Sequence, residues 1–151
     1  MNNYSRYLRK MSKPIYFDLE ELLTSSTARQ KSIENLPSWY IVENLNELGL
    51  FLDEIRQDWG SGIKVTSGYR NEKLNVAVGG VLNSAHKYGY AADIYPSNGK
   101  YEEFVAFLKE WAKNKKFDQI IEERNGKSKW VHVGLYSPTG LQRRMIFKIE
   151  K

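Results

Sequence analysis

One stretch, Ser84-Ala85-His86-Lys87-Tyr88-Gly89-Tyr90-Ala91-Ala92-Asp93-Ile94, gathers the residue types that chemistry needs. It carries one of only two histidines among 151 residues, and a carboxylate follows seven positions later. Gly89 and the small Ala91 and Ala92 lie between them, where a tight turn lets the backbone double back. The second histidine sits in Trp130-Val131-His132-Val133, an alternating segment that reads as a strand. Two neutral imidazoles and one carboxylate form a three-ligand set for a catalytic zinc, whose fourth position stays open for water. A lone histidine is more often a satisfied core residue than a ligand. The ordering Ser-x-His-x-x-Gly-x-Ala-x-Asp is far more specific than a histidine count, and it makes His86, Asp93 and His132 the candidate metal ligands.

The elements that must hold these residues are legible from periodicity. Asp18 is placed to cap a short helix over Phe17 to Leu22, with Glu21 positioned for the reciprocal bond. Ile41, Val42, Leu45, Leu48, Leu52 and Ile55 mark a long amphipathic helix between Ser38 and Gly60. Phe104, Phe107, Leu108 and Trp111 mark another, and Glu72 to Val78 a short one. Strands are expected at Ile63–Ser67 and Ala91–Tyr95. The last third reads as antiparallel strands over 117–123, 129–135 and 144–149, with Asn125-Gly126 as the hairpin turn between the first two. Helices packed on one central, mainly antiparallel sheet make this a single α+β domain, expected over 17–151, behind a flexible N-terminal arm over 1–16. Met11 offers a second start beside Met1.

The chain is long enough for one domain with a real core and too short for two. No apolar run approaches the ~20 residues that cross a bilayer, and no apolar block follows the basic N-terminus as in a secretory signal. Synthesis in the cytoplasm is expected. The lack of cysteine excludes disulfides and thiolate metal sites. A net charge of +5 suits an anionic partner. Basic residues cluster at Arg6–Lys10, Lys113–Lys116 and Arg143-Arg144, each also readable as a solvated face. No nucleic-acid-binding motif is present, so no nucleic-acid partner is expected.

Side-chain alternation tests which groups can join His132. With Asn125-Gly126 central in the turn, Glu123 faces Ser128, Ile121 faces Trp130 and Gln119 faces His132. Gln119, Ile121, Glu123, Trp130 and His132 then share one face, and Glu122 points to the other. One more loop residue would bring Glu122 round instead. Glu123 is the expected general base, the group that takes a proton from an activated water. Gln119 and Trp130 are expected to touch substrate. Arg70, after Ser67-Gly68-Tyr69, offers a planar fork for a carboxylate or a polarised carbonyl.

Ser67-Gly68-Tyr69-Arg70-Asn71, Leu74-Asn75, Val78-Gly79-Gly80, the Ser84–Asp93 motif and Trp130–Val133 together resemble the D-Ala-D-Ala carboxypeptidase family of zinc peptidases. The small phage-type members, many of them endolysins, are the most similar branch. Phe17 to Pro37, with Leu19, Glu21-Leu22, Ser26-Thr27-Ala28 and Asn35, is similar to that branch's leading segment, so the resemblance runs from Phe17 to about Ile149. It implies zinc held by His86, Asp93 and His132, Arg70 stabilising the substrate carbonyl or carboxylate, and Ser84 helping to position substrate. Many members carry the base three residues before the last histidine, a place that Lys129 occupies here. The small branch carries it on the preceding strand, in agreement with Glu123. The implied activity is hydrolysis of an amide bond in peptidoglycan stem peptides, by a monomer acting at the cell wall or periplasm. The alternative is a non-catalytic wall-binding module of the same fold, which has no need of Glu123.

Overall fold

A computed structural model describes residues 12–151. In chain order the elements are α1 (Leu19–Leu23), α2 (Ser26–Gln30), α3 (Trp39–Trp59), β1 (Ile63–Ser67), α4 (Glu72–Ala77), a 3₁₀ turn (Ala85–Tyr88), β2 (Ala91–Pro96), α5 (Tyr101–Trp111), β3 (Gln119–Asn125), β4 (Ser128–Gly134) and β5 (Met145–Glu150). The strands form one five-stranded sheet in the order β1-β2-β4-β3-β5, antiparallel except for β3 and β5. This is the α+β architecture that the periodicities predict. No helix of the described residues is long and apolar enough to cross a membrane.

The helix α3 forms where expected, from Ser38 to a stop at Gly60, whose φ of 77° only glycine adopts cheaply. Leu45, Leu48, Leu52 and Ile55 on its inner face are fully buried, together with Phe104 and Leu108 of α5. They pack on Ile94, Ile120, Val131 and Val133, the apolar face of the sheet. Burying each such side chain contributes about 1.5–3 kcal/mol, so this layer dominates the stability of the fold. The opposite face of the sheet carries Asp93, His132 and Glu123.

Several expectations are corrected. Ser38 precedes α3 but makes no side-chain cap bond. Asp18 does accept from the Glu21 amide, at 2.8 Å, whereas the Glu21 carboxylate accepts from the Val65 amide of β1 instead of closing the reciprocal bond. Strand β5 runs parallel to β3, not antiparallel. Both edges of β4 are already taken by β2 and β3, and β4 ends beside the start of β3, where Gly134 faces Gln119. A strand that turns around residues 135–144 to the free edge of β3 therefore runs in the direction of β3. The hairpin register also differs. Asn125 faces Ser128, so Gly126 and Lys127 are central, and the positive φ of 61° falls at Gly126. That is the type II′ arrangement, which takes glycine first. His132 consequently faces Ile121, and Trp130 faces Glu123. The pairing moves by two residues, which leaves every side chain on its expected face.

The start sites Met1 and Met11, and most of the expected arm, lie outside the described residues. Within the arm, the amides of Ile15 and Tyr16 donate to the Asp53 carboxylate of α3 at 2.6 and 2.9 Å. Residues 68–90 link β1 to β2 and meet α3 at Tyr88 and Gly89, and α1 pins the start of that segment. The Leu22 carbonyl accepts from the Tyr69 amide at 2.8 Å, and a Cβ added at Gly68 would stand 2.3 Å from the same oxygen. Gly68→Ala should therefore destabilise by about 1–3 kcal/mol, read as a lower denaturant midpoint. An unchanged midpoint would mean that α1 does not hold this segment.

Candidate metal centre

Strands β2 and β4 place Asp93 directly opposite His132. Beside them, β1 bulges between Val65 and Ser67, so that Ser67 also comes to face Asp93. The third donor arrives on the 3₁₀ turn. The Ser84 hydroxyl oxygen caps that turn by accepting from the His86 amide at 3.2 Å, and Gly89 ends it with a φ of 71°. Leu45 and Ile41 of α3 stand 3.2 and 3.3 Å from where a Gly89 side chain would begin, so the turn lies tight against the core. His86 is thereby buried and aimed at Asp93 and His132.

The tautomer of His86 follows from its neighbour. Its Nδ1 lies 2.8 Å from the Gly68 carbonyl oxygen, which can only accept, so Nδ1 carries the proton and Nε2 presents a lone pair. Nε2 lies 3.3 Å from Asp93 Oδ1 and 3.3 Å from His132 Nδ1, and those two atoms are also 3.3 Å apart. The three donors make an equilateral triangle. A tetrahedral ion with ligands at about 2.0–2.1 Å has edges of about 3.3–3.4 Å between them, so the triangle matches one face of such a site. Asp93 Oδ1 is buried and accepts no hydrogen bond. An orphaned carboxylate oxygen facing an imidazole lone pair is costly unless a cation stands between them. His86, Asp93 and His132 are also the set of side chains that could hold a metal among the described residues. The donor set therefore fits a divalent metal.

The electrostatics agree. Burial pushes the His86 pKa down, which favours the neutral imidazole that a metal needs. Burial works to raise the Asp93 pKa; positive charge placed at the two facing rings outweighs it and holds the carboxyl well below the usual range, and a cation between neutral rings supplies that charge. Burial, and next the Asp93 charge, push Glu123 up.

The other expected residues divide clearly. Glu123 lies on the face of the donors and within reach of their charge, and its Oε2 accepts from the Trp130 indole at 2.6 Å. The indole N–H of Trp130 is thus already committed. Gln119 lies on the same face, opposite Gly134. Arg70 is drawn in by its backbone, whose amide donates to the His86 carbonyl at 3.1 Å. Burial lowers the Arg70 pKa, while Asp93 and Glu123 lie close enough to oppose that shift. Its Nε is buried and lacks a partner. Ser84 sits at the edge of the site as the cap of the 3₁₀ turn. Glu122 points to the helix face, with Lys109, Arg124 and Lys148 within 4 Å. Lys129 shares that face, its ammonium 4.8 Å from the Tyr101 ring centre.

Three supporting residues carried no chemical assignment in the sequence. Gly68 supplies the carbonyl that fixes His86. Asn35 bridges the segment, donating to the Leu23 and Tyr69 carbonyls and accepting from the Asn71 amide. Asn75 donates to the Val81 carbonyl at 2.8 Å and shapes the loop before Ser84. The signals were faint: a glycine after a strand, an asparagine in a polar loop and another within a short helix.

A protein-family model described as Peptidase M15 matches residues 15–134, a stretch that contains Arg70, Ser84, His86, Asp93, Gln119, Glu123, Trp130 and His132. No curated protein matches the chain at a significant level. From the geometry, one divalent ion should bind per chain, measured by elemental analysis after dialysis. His86→Ala and Asp93→Ala should each lose it. Protons compete for the same imidazole lone pairs, so affinity should fall with pH, and since burial lowers the His86 pKa the loss at that ligand should come below the ordinary histidine range of ~6.5. Full occupancy in either variant would remove that residue from the ligand set.

Proposed function

Because the chain belongs to the Peptidase M15 family and is a metallopeptidase by that kinship, we propose that it is a zinc-dependent hydrolase of an amide bond in peptidoglycan stem peptides. The observation that carries this reading is the buried triangle of His86, Asp93 and His132 donors at 3.3 Å, flanked by Glu123 and Arg70. Zinc in that triangle supplies a Lewis acid, which acidifies a water and polarises the scissile carbonyl. Cobalt or nickel would satisfy the same donors, but two imidazoles and a carboxylate with an open position suit zinc best.

The chain's own groups supply the rest. Glu123 takes a proton from the attacking water as the new C–O bond forms, and delivers it to the amine nitrogen as the C–N bond breaks. Trp130 holds Oε2, which leaves Oε1 to carry that proton. The raised pKa of Glu123 makes it a better base than an ordinary surface glutamate. Arg70, with a buried and unpartnered Nε, binds the substrate carbonyl oxygen or a terminal carboxylate as negative charge builds. Ser84 keeps its hydroxyl proton free to orient a substrate carbonyl, and Gln119 contacts the peptide along the same face. The net charge of +5 suits a polyanionic wall. Arg143 and Arg144 contribute little to that attraction, since Arg143 grips the buried Asp118 and Arg144 donates to the carbonyls of Ala112, Lys113 and Lys115. A monomer that reaches the wall as a phage endolysin fits these features.

Two substitutions test the base. Glu123→Gln keeps size and can still accept from Trp130, but it cannot take the proton. It should keep the fold and stoichiometric zinc while losing about 10²–10⁴-fold in turnover. Glu122→Gln, on the other face, should stay close to wild type. Essential Glu122 with dispensable Glu123 would overturn the assignment, and a wild type that binds zinc and cuts no stem peptide would favour a wall-binding module. Arg70→Lys should lower kcat/KM by about tenfold or more with zinc content unchanged, since an ammonium cannot reproduce the planar fork. Wild-type kinetics in Arg70→Lys would remove it from the groups that bind substrate.

A further inference from the structure

Strand β5 lies outside the stretch that matches the family model, yet its register ties it to the site. Asp93 faces His132, His132 faces Ile121, and Ile121 faces Phe147. These four residues form one row across β2, β4, β3 and β5 on the face that carries the metal donors. The neighbouring rows follow the same rule, with Glu123 beside Ile149 and Gln119 beside Met145. Side chains alternate along β5, so Met145, Phe147 and Ile149 share the face of the site while Lys148 and Glu150 point to the helix side. Met145 and Phe147 are each 38% exposed, so both keep open apolar surface on the face of the site.

We propose that Met145 and Phe147 form an apolar subsite that extends the substrate groove past Glu123. The proposal rests on the peptidase reading above. Its occupant is the aliphatic part of a substrate residue remote from the scissile bond, such as the hydrocarbon stem of a diamino acid or an alanine methyl group. Two strand spacings of ~4.8 Å put Phe147 about 10 Å from His132. An extended peptide covers ~3.3–3.6 Å per residue, so the side chain that reaches Phe147 lies about three residues from the reacting amide. Continuity with the donor row is what selects a bound peptide as the occupant. Remote contacts of this kind discriminate long substrates from short ones.

The test compares two probes on the zinc-loaded protein: a synthetic stem pentapeptide, which reaches β5, and D-alanyl-D-alanine, which does not. Binding is measured by calorimetry in Glu123→Gln, so that turnover is not needed, and hydrolysis is measured in the otherwise wild-type chain. Phe147→Ala should weaken pentapeptide binding about tenfold or more, carried in KM, and leave the dipeptide unaffected. Phe147→Leu, which keeps an apolar surface, should restore most of it. Equal losses on both probes, or no loss on the pentapeptide, would overturn the subsite. So would a wild-type dimer that Phe147→Ala dissociates, because the strand would then be an interface between copies. Pentapeptide binding that depends on Phe147 in a protein that hydrolyses neither probe would uphold the subsite and sink the peptidase reading instead.

Discussion

The structure turns on three side-chain donor atoms gathered at one point. His86 Nε2, His132 Nδ1 and Asp93 Oδ1 stand 3.3 Å from one another inside a buried space, and the carboxylate oxygen has no hydrogen-bond donor. Burial pushes the His86 pKa down, away from the protonated form that would make it a donor. A cation removes the conflict, since each lone pair then becomes a ligand and the carboxylate charge is neutralised. A neutral metal-free pocket would relax the triangle by turning a side chain aside.

What holds the three donors against that relaxation is spread over the chain. Asp93 and His132 are fixed by a direct pairing across the sheet, which only a change in register could undo. His86 is less constrained by its own short turn, and its orientation depends on the Gly68 carbonyl. Gly68 is in turn wedged against the carbonyl end of α1, and Asn35 ties the same segment to the residues after α2. The first helices therefore act on the site although they contribute no ligand. Asp118 and Arg143 play a comparable part at the other end of the chain. There a carboxylate only 1% exposed is held by a bidentate guanidinium, which fixes the turn that leads into β5.

The cluster of His86, Asp93 and His132 and the face of Glu123 were legible in the sequence because both rest on short-range rules. The Ser84–Asp93 spacing encodes a capped turn running into a strand, and strand parity survives a two-residue change in pairing. That is why Glu123 kept its face although the turn proved to centre on Gly126-Lys127. The partner of Trp130 was missed for the same reason, since parity gives the face and not the neighbour. The direction of β5 depends on which sheet edge is still free, a property of the whole topology. The roles of Gly68 and Asn35 were equally hidden, because each acts on residues far along the chain. The basic pair Arg143-Arg144 was readable as an anion-binding patch or a solvated face, and its guanidiniums instead grip Asp118 and backbone carbonyls.

The central claim is that the buried triangle makes this chain a metal-dependent hydrolase. It is tested most directly by mass spectrometry of muropeptides incubated with the purified protein, with bound zinc or after removal of metal by a chelator. A mass increase of one water with loss of a defined fragment, present with zinc, abolished by the chelator and restored by added zinc, is the expected result. Unchanged muropeptides under all conditions, or cleavage that persists without metal, would contradict it.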